Sequence, residues 1–134
     1  HVNPEYYGLL MFALAAPPGS RPLRVSGAAT SDLSVWATAG PDHHTRLLLI
    51  NVDAHQSRTV SIPTRQTLSP ASYFRLQGPS LGARRGITIA GESFGSQTST
   101  GALAGHLRTY AVHPLVGNYT LSIPPASATL VALP

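Results

Sequence analysis

Apolar and polar positions change their rhythm once along this chain. Residues 1–16 read as a helix. Asn3 suits the N-cap, Pro4 the first helical position, and Glu5 complements the positive end of the helix dipole. Pro17-Pro18-Gly19 stops it. Tyr6, Leu9, Leu10 and Ala13 form one apolar face, and Tyr7, Met11, Phe12 and Ala15 a second. A helix that is apolar nearly all round is normally buried on several sides. A small β domain covers only one of them. Gly8 costs about 1 kcal/mol in a helix interior, which makes sense where a neighbour approaches closely.

After Gly19 the rhythm is that of short strands between turns. The pattern predicts strands at 22–26, 33–38, 46–51, 58–62, 72–76, 86–90, 107–112, 119–123 and 128–133. Val60/Ile62, Ile87/Ile89, Tyr119/Leu121/Ile123 and Ala128/Leu130/Ala132 alternate with polar or small residues, as in sheets with one face in a core. Leu47-Leu48-Leu49-Ile50 is apolar throughout and predicts a central strand covered on both faces. Gly40-Pro41-Asp42, Gly78-Pro79-Ser80, Gly117-Asn118 and Pro124-Pro125 separate the strands. The Gly-, Ser- and Thr-rich stretch 91–105 reads as a long surface loop. The expected fold is mostly β: an antiparallel β-sandwich of about eight strands preceded by one N-terminal α-helix. Residues 1–19 form the helical unit and 20–134 the sandwich.

Composition narrows the partners. The 134 residues are 43% hydrophobic, enough for a real core. Only 10% are charged, against about 25% in ordinary globular domains, which suggests that part of the surface is covered by something else. The net charge of +4 comes entirely from arginine on the basic side. Apart from Arg84-Arg85 the arginines are scattered, without the stripe that nucleic-acid binding requires. The longest apolar run is far too short to span a bilayer. A signal peptide, if any, is expected on a longer precursor. With no cysteine there are neither disulfides nor thiolate metal ligands.

Candidate chemistry is sparse. Glycosidic hydrolysis needs two carboxylates about 5–10 Å apart. The acids are Glu5, Asp32, Asp42, Asp53 and Glu92. Glu5 has its place at the helix start, and the three aspartates sit in turn contexts, where Asp bonds its own backbone. Glu92, after a predicted strand, is the one acid of interest, and one carboxylate is not a pair. His43-His44 with His55 and Asp53 form a conceivable metal set, but His1, His43, His44, His55, His106 and His113 nowhere show helical metal spacing. Adjacent side chains on a strand also point apart, so solvated turn histidines are the expectation. Gly82-Ala83-Arg84-Arg85-Gly86 is a charged turn, not a phosphate loop. No nucleophile elbow is present. Trp36 and Tyr73 are candidates for stacking on sugar rings, with core packing as the default. Asn118-Tyr119-Thr120 matches the glycosylation sequon and equally suits a turn entering a strand. No catalytic, cofactor-binding or metal-binding residue is assigned.

The run 3–13, Asn-Pro-Glu-Tyr-Tyr-Gly-Leu-Leu-Met-Phe-Ala, resembles the last barrel helix of glycoside hydrolase family 79, the heparanase-like β-glucuronidases. The stretches 47–53, 87–91 and 121–133 resemble strands of the C-terminal sandwich in such enzymes. The resemblance implies a non-catalytic domain that braces a (β/α)8 barrel through Tyr6, Tyr7, Leu10, Met11 and Phe12. It implies two catalytic glutamates on that barrel, outside this chain, in a retaining enzyme that acts outside the cytoplasm, extracellularly or in the periplasm. It also implies that a strand from elsewhere in the enzyme completes the sandwich, so that an edge is left open here. A free-standing carbohydrate-binding module and a self-associating β domain are the alternatives.

Overall fold

The computed structural model describes residues 4–25, 32–64, 68–90 and 108–134, with the backbone alone for 4–6. The Asn3 cap, the Glu5 and Tyr6 side chains, and the 91–105 loop with Glu92 lie outside the described residues or side chains, as do His1 and His106.

Helix α1 spans Pro4–Ala15. It ends where Pro17 and Pro18 cannot donate to another turn, and Gly19 takes φ +88° to redirect the chain. Nine strands follow among the described residues: β1 (Arg21–Leu23), β2 (Leu33–Ala39), β3 (Thr45–Asn51), β4 (Arg58–Pro63), β5 (Ala71–Gln77), β6 (Thr88–Ile89), β7 (Tyr110–Val112), β8 (Asn118–Ile123) and β9 (Ser127–Leu133). Each of the nine expected stretches overlaps one. The stretches at 86–90 and 107–112 shorten to β6 and β7, and the first becomes β1.

Seven strands make one antiparallel sheet in the order β1-β2-β3-β9-β5-β6. The outer edge of β5 is shared, with Ala71–Tyr73 pairing β7 and Leu76–Gln77 pairing β6. β4 and β8 form a second, two-stranded sheet. Val60 and Ile62 of β4, with Tyr119, Leu121 and Ile123 of β8, pack against Leu33, Leu49, Ala71 and Val131 of the large sheet. That is the sandwich core.

The other face of the large sheet carries α1. Tyr7, Met11 and Ala15, four residues apart, pack on Leu48, Ala128, Leu130 and Ile89, with Leu10 and Leu14 at the margin. β3 therefore serves both cores: Leu47 and Leu49 face the small sheet, Leu48 and Ile50 the helix. The structure corrects the contact set expected for an external barrel. Tyr7 and Met11 are 5% and 2% exposed and belong to this domain's own core. Their spacing fits the helix onto β3 and β9, while Leu9 and Phe12 point away, 68% and 65% exposed. A Cβ at Gly8 would meet nothing within 4 Å, so no neighbour among the described residues needs that glycine.

One core position is frustrated. Thr129 of β9 is fully buried opposite Leu49 and Arg75, and its hydroxyl has no partner among the described residues. Replacing it with an isosteric methyl removes a buried unsatisfied group. Thr129→Val is expected to stabilise the domain by about 1–2 kcal/mol, seen as a higher urea midpoint with an unchanged m-value. A lower midpoint would show that the hydroxyl is satisfied in solution.

Candidate functional site

The best-connected polar group is Asn51, at the end of β3 and 1% exposed. Its Nδ2 donates to the carbonyls of Gln56 (2.9 Å), Ile123 (3.0 Å) and Pro124 (3.1 Å). Its Oδ1 accepts from the Asp53 N–H at 2.9 Å. One amide thus ties the large sheet to the turn before β4 and to the end of β8. Asp53 continues the cluster. Its Oδ1 accepts from the backbone N–H groups of His55 (2.9 Å) and Gln56 (3.0 Å). Nη2 of Arg58 donates to Asp53 Oδ2 at 3.1 Å and to Asp32 Oδ2 at 2.9 Å. The backbone donors, helped by the nearby Arg58 charge, hold the Asp53 carboxyl below the usual carboxylate range.

Asp32 and Asp53 are the nearest thing to a carboxylate pair. A glycosidase acid must keep its proton near neutral pH, which takes burial away from positive charge. Both carboxylates here share one guanidinium, and Asp53 is pushed towards the ionised form. The arrangement is a strut, not an acid and a nucleophile. Asp42 is also occupied: Arg46 donates to both its oxygens at 3.2 and 2.7 Å and holds it well below the carboxylate range.

The histidines stay apart. His43 is exposed with φ +66°, His44 places Nδ1 3.0 Å from the Leu133 carbonyl, and His55 is exposed beside Asp53. Among the described residues no three His, Asp or Glu side chains group as metal ligands. Tyr73 packs against the sandwich core, its ring 5.6 Å from that of Tyr110 with the Arg75 guanidinium 4.8 Å above it. Within the sequon, Tyr119 is buried and donates its hydroxyl to Ser69 O at 2.6 Å. Asn118 begins β8 and Thr120 is exposed.

Trp36 departs from the core default, being 64% exposed. In β2, Leu33 and Val35 face the small sheet, so Trp36, opposite Leu48 on β3, projects on the helix side. It lies beyond the cover of α1. Between them is an open cleft of about 310 Å³, lined among others by Phe12, Ala16, Ser20, Arg21, Pro22 and Trp36. No described residue covers this apolar face, or Leu9 on the far side of the helix.

No family model and no curated protein matches the chain. Solved structures share its fold. A 4-O-α-L-rhamnosyl-β-D-glucuronidase from Fusarium oxysporum 12S superposes with a TM-score of 0.68 at 24% identity, over 91% of this chain and 28% of that enzyme. The catalytic domain of the family 30 glycoside hydrolase xylanase C from Talaromyces cellulolyticus gives 0.62 at 16%, over 96% and 23%. A family 51 α-L-arabinofuranosidase from Thermotoga petrophila RKU-1 gives 0.56 at 14%, over 77% and 19%. The chain thus spans 19–28% of the length of these enzymes and has the fold of one part of each.

The Asn51 cluster makes two predictions. Asn51→Ala strands three carbonyls and an N–H and is expected to cost on the order of 3 kcal/mol in urea unfolding. A loss within about 0.5 kcal/mol, the range of neutral surface changes, would show that water replaces the amide. The pH effect follows from the lowered pKa of Asp53. The unfolded carboxyl, near 3.8, takes up its proton before the folded one does. The stabilisation is therefore complete above about pH 5 and is lost as pH falls below 3.8 and through the folded value. Asp53→Asn keeps the backbone acceptor and removes the charge, so its melting temperature should fall less steeply between pH 5 and 3 than that of the wild type.

Proposed function

We propose that this chain is a non-catalytic β-sandwich that braces a catalytic (β/α)8 barrel in a retaining glycoside hydrolase of the β-glucuronidase, heparanase-like type. The observation that carries this reading is the outer face of α1. The helix already buries Tyr7, Met11 and Ala15 on its own sheet, and it still offers Leu9 and Phe12 to the outside. An apolar face of that kind marks an interaction site. The fold shared with one part of several larger glycoside hydrolases supports the same reading. On it, residues 1–19 close the barrel, residues 20–134 are the brace, and the two catalytic glutamates lie outside the chain. The enzyme works outside the cytoplasm. Among the described residues the small sheet has only β4 and β8 opposite seven strands, which leaves room for a strand supplied by the rest of the enzyme.

Exposed Trp36 favours a second reading, a carbohydrate-binding module. Trp36 is the only tryptophan, so its fluorescence reports on that idea directly. On the bracing reading it does not respond to glucuronic-acid or neutral oligosaccharides, and a saturable shift would favour the module.

The bracing reading is tested with an aryl β-glucuronide. The 134-residue chain should give no turnover, while a longer polypeptide that includes it should. Leu9→Glu with Phe12→Glu should lower the melting temperature of the longer polypeptide and leave that of the isolated chain nearly unchanged, because both side chains are exposed in it. Turnover by the isolated chain, at a rate independent of any longer species, refutes the assignment.

A further inference from the structure

We infer that the cleft between Phe12 and Trp36 is the socket into which the neighbouring domain inserts a large apolar side chain, flanked by a carboxylate that pairs with Arg21. This rests on the bracing reading and names how the partner is held.

The cleft is built from two elements, joined at its floor by the Thr38 hydroxyl and the Ala15 carbonyl. Phe12 comes from α1 and Trp36 from β2, and both are about two-thirds exposed. Ala16, Pro22 and Leu48 complete an almost wholly apolar lining. Aromatic walls around a small concavity with an arginine at the rim are the make-up of an interface hot spot. A sugar is a poor fit. The Thr38 hydroxyl is spent on the Ala15 carbonyl at 2.6 Å, and Arg46 is held by Asp42 at 2.7 Å. A pyranose would bury hydroxyls here with too few partners to satisfy them.

Charge identifies the flanking group. Asp32 and Asp53 are tied to Arg58, and Asp42 to Arg46. Arg21 lines the cleft without a carboxylate partner among the described residues. An anionic acceptor arriving with the apolar side chain answers Arg21. It is a carboxylate of a protein surface, because the walls leave little else that is polar to hold a free anion.

Hydroxyl-radical footprinting tests this, since Trp, Phe and Leu oxidation can be read separately by mass spectrometry. The isolated 134-residue chain is compared with the longer polypeptide. The expected result is protection of Leu9, Phe12 and Trp36 in the longer polypeptide, on the order of tenfold at Trp36, as for a residue moved into an interface core. Arg21→Glu should restore much of the oxidation at Trp36, and Arg84→Glu, on an exposed turn away from the cleft, should not. Protection of Leu9 and Phe12 with Trp36 still fully oxidised overturns the socket and leaves the bracing reading standing. Protection at none of the three overturns both. Unchanged Trp36 protection in Arg21→Glu overturns the carboxylate. Protection of Trp36 in the isolated chain by a glucuronic-acid oligosaccharide overturns the side-chain socket in favour of a glycan.

Discussion

The structure depends on covering both faces of the β3–β9 pair. Leu47, Leu49 and Val131 face one way, and Leu48, Ala128 and Leu130 the other. Water on either side would cost the exposed apolar area, so two separate elements must close over one ladder. The small sheet closes the first face and α1 the second. Their widths do not match. From β1 to β6 the large sheet has six strands abreast, roughly 24 Å at about 4.8 Å per step, and a helix with its side chains is only about 10 Å wide. α1 lies over β3, β9, β5 and β6 and reaches β2 at Thr38, and no described residue covers Trp36. Trp36 is exposed for that geometric reason.

The same mismatch explains what the sequence made legible. Period-two alternation marked β4 and β8, where one-sided burial writes itself into alternate positions. The unbroken run 47–50 gave away the double-faced strand. Lengths were less legible at β6 and β7, whose pairing is set by how much of β5 each one finds. The helix orientation was not legible at all. Apolar residues on every side leave nothing to choose between Tyr7 and Phe12, and the choice falls to the sheet the helix meets. Trp36 was readable in hindsight: Leu33 and Val35 fix the inner face of β2, and Trp36 shares the other face with Ser34 and Thr38.

The polar residues follow a different logic. The Asn51-x-Asp53 motif looked like a family signature, and it works as a clasp. It sits where three chain segments with unpaired carbonyls and N–H groups converge, and one amide satisfies several of them at once. A buried network of this kind fixes the relative position of the two sheets, which apolar packing alone would leave free to slide. Arg75 adds a second crossing between the sheets, donating to the Ser122 carbonyl at 2.7 Å.

This use of charge is opposed to catalysis. A carboxylic acid that donates a proton at neutral pH must be kept from cations and backbone donors. The carboxylate of Asp53 is surrounded by both, and that of Asp42 is gripped by Arg46. What makes these groups good struts makes them poor acids. The fold has therefore spent its described carboxylates on holding its own turns together, and its surplus lies elsewhere, in apolar area around α1 and β2 that no described residue covers.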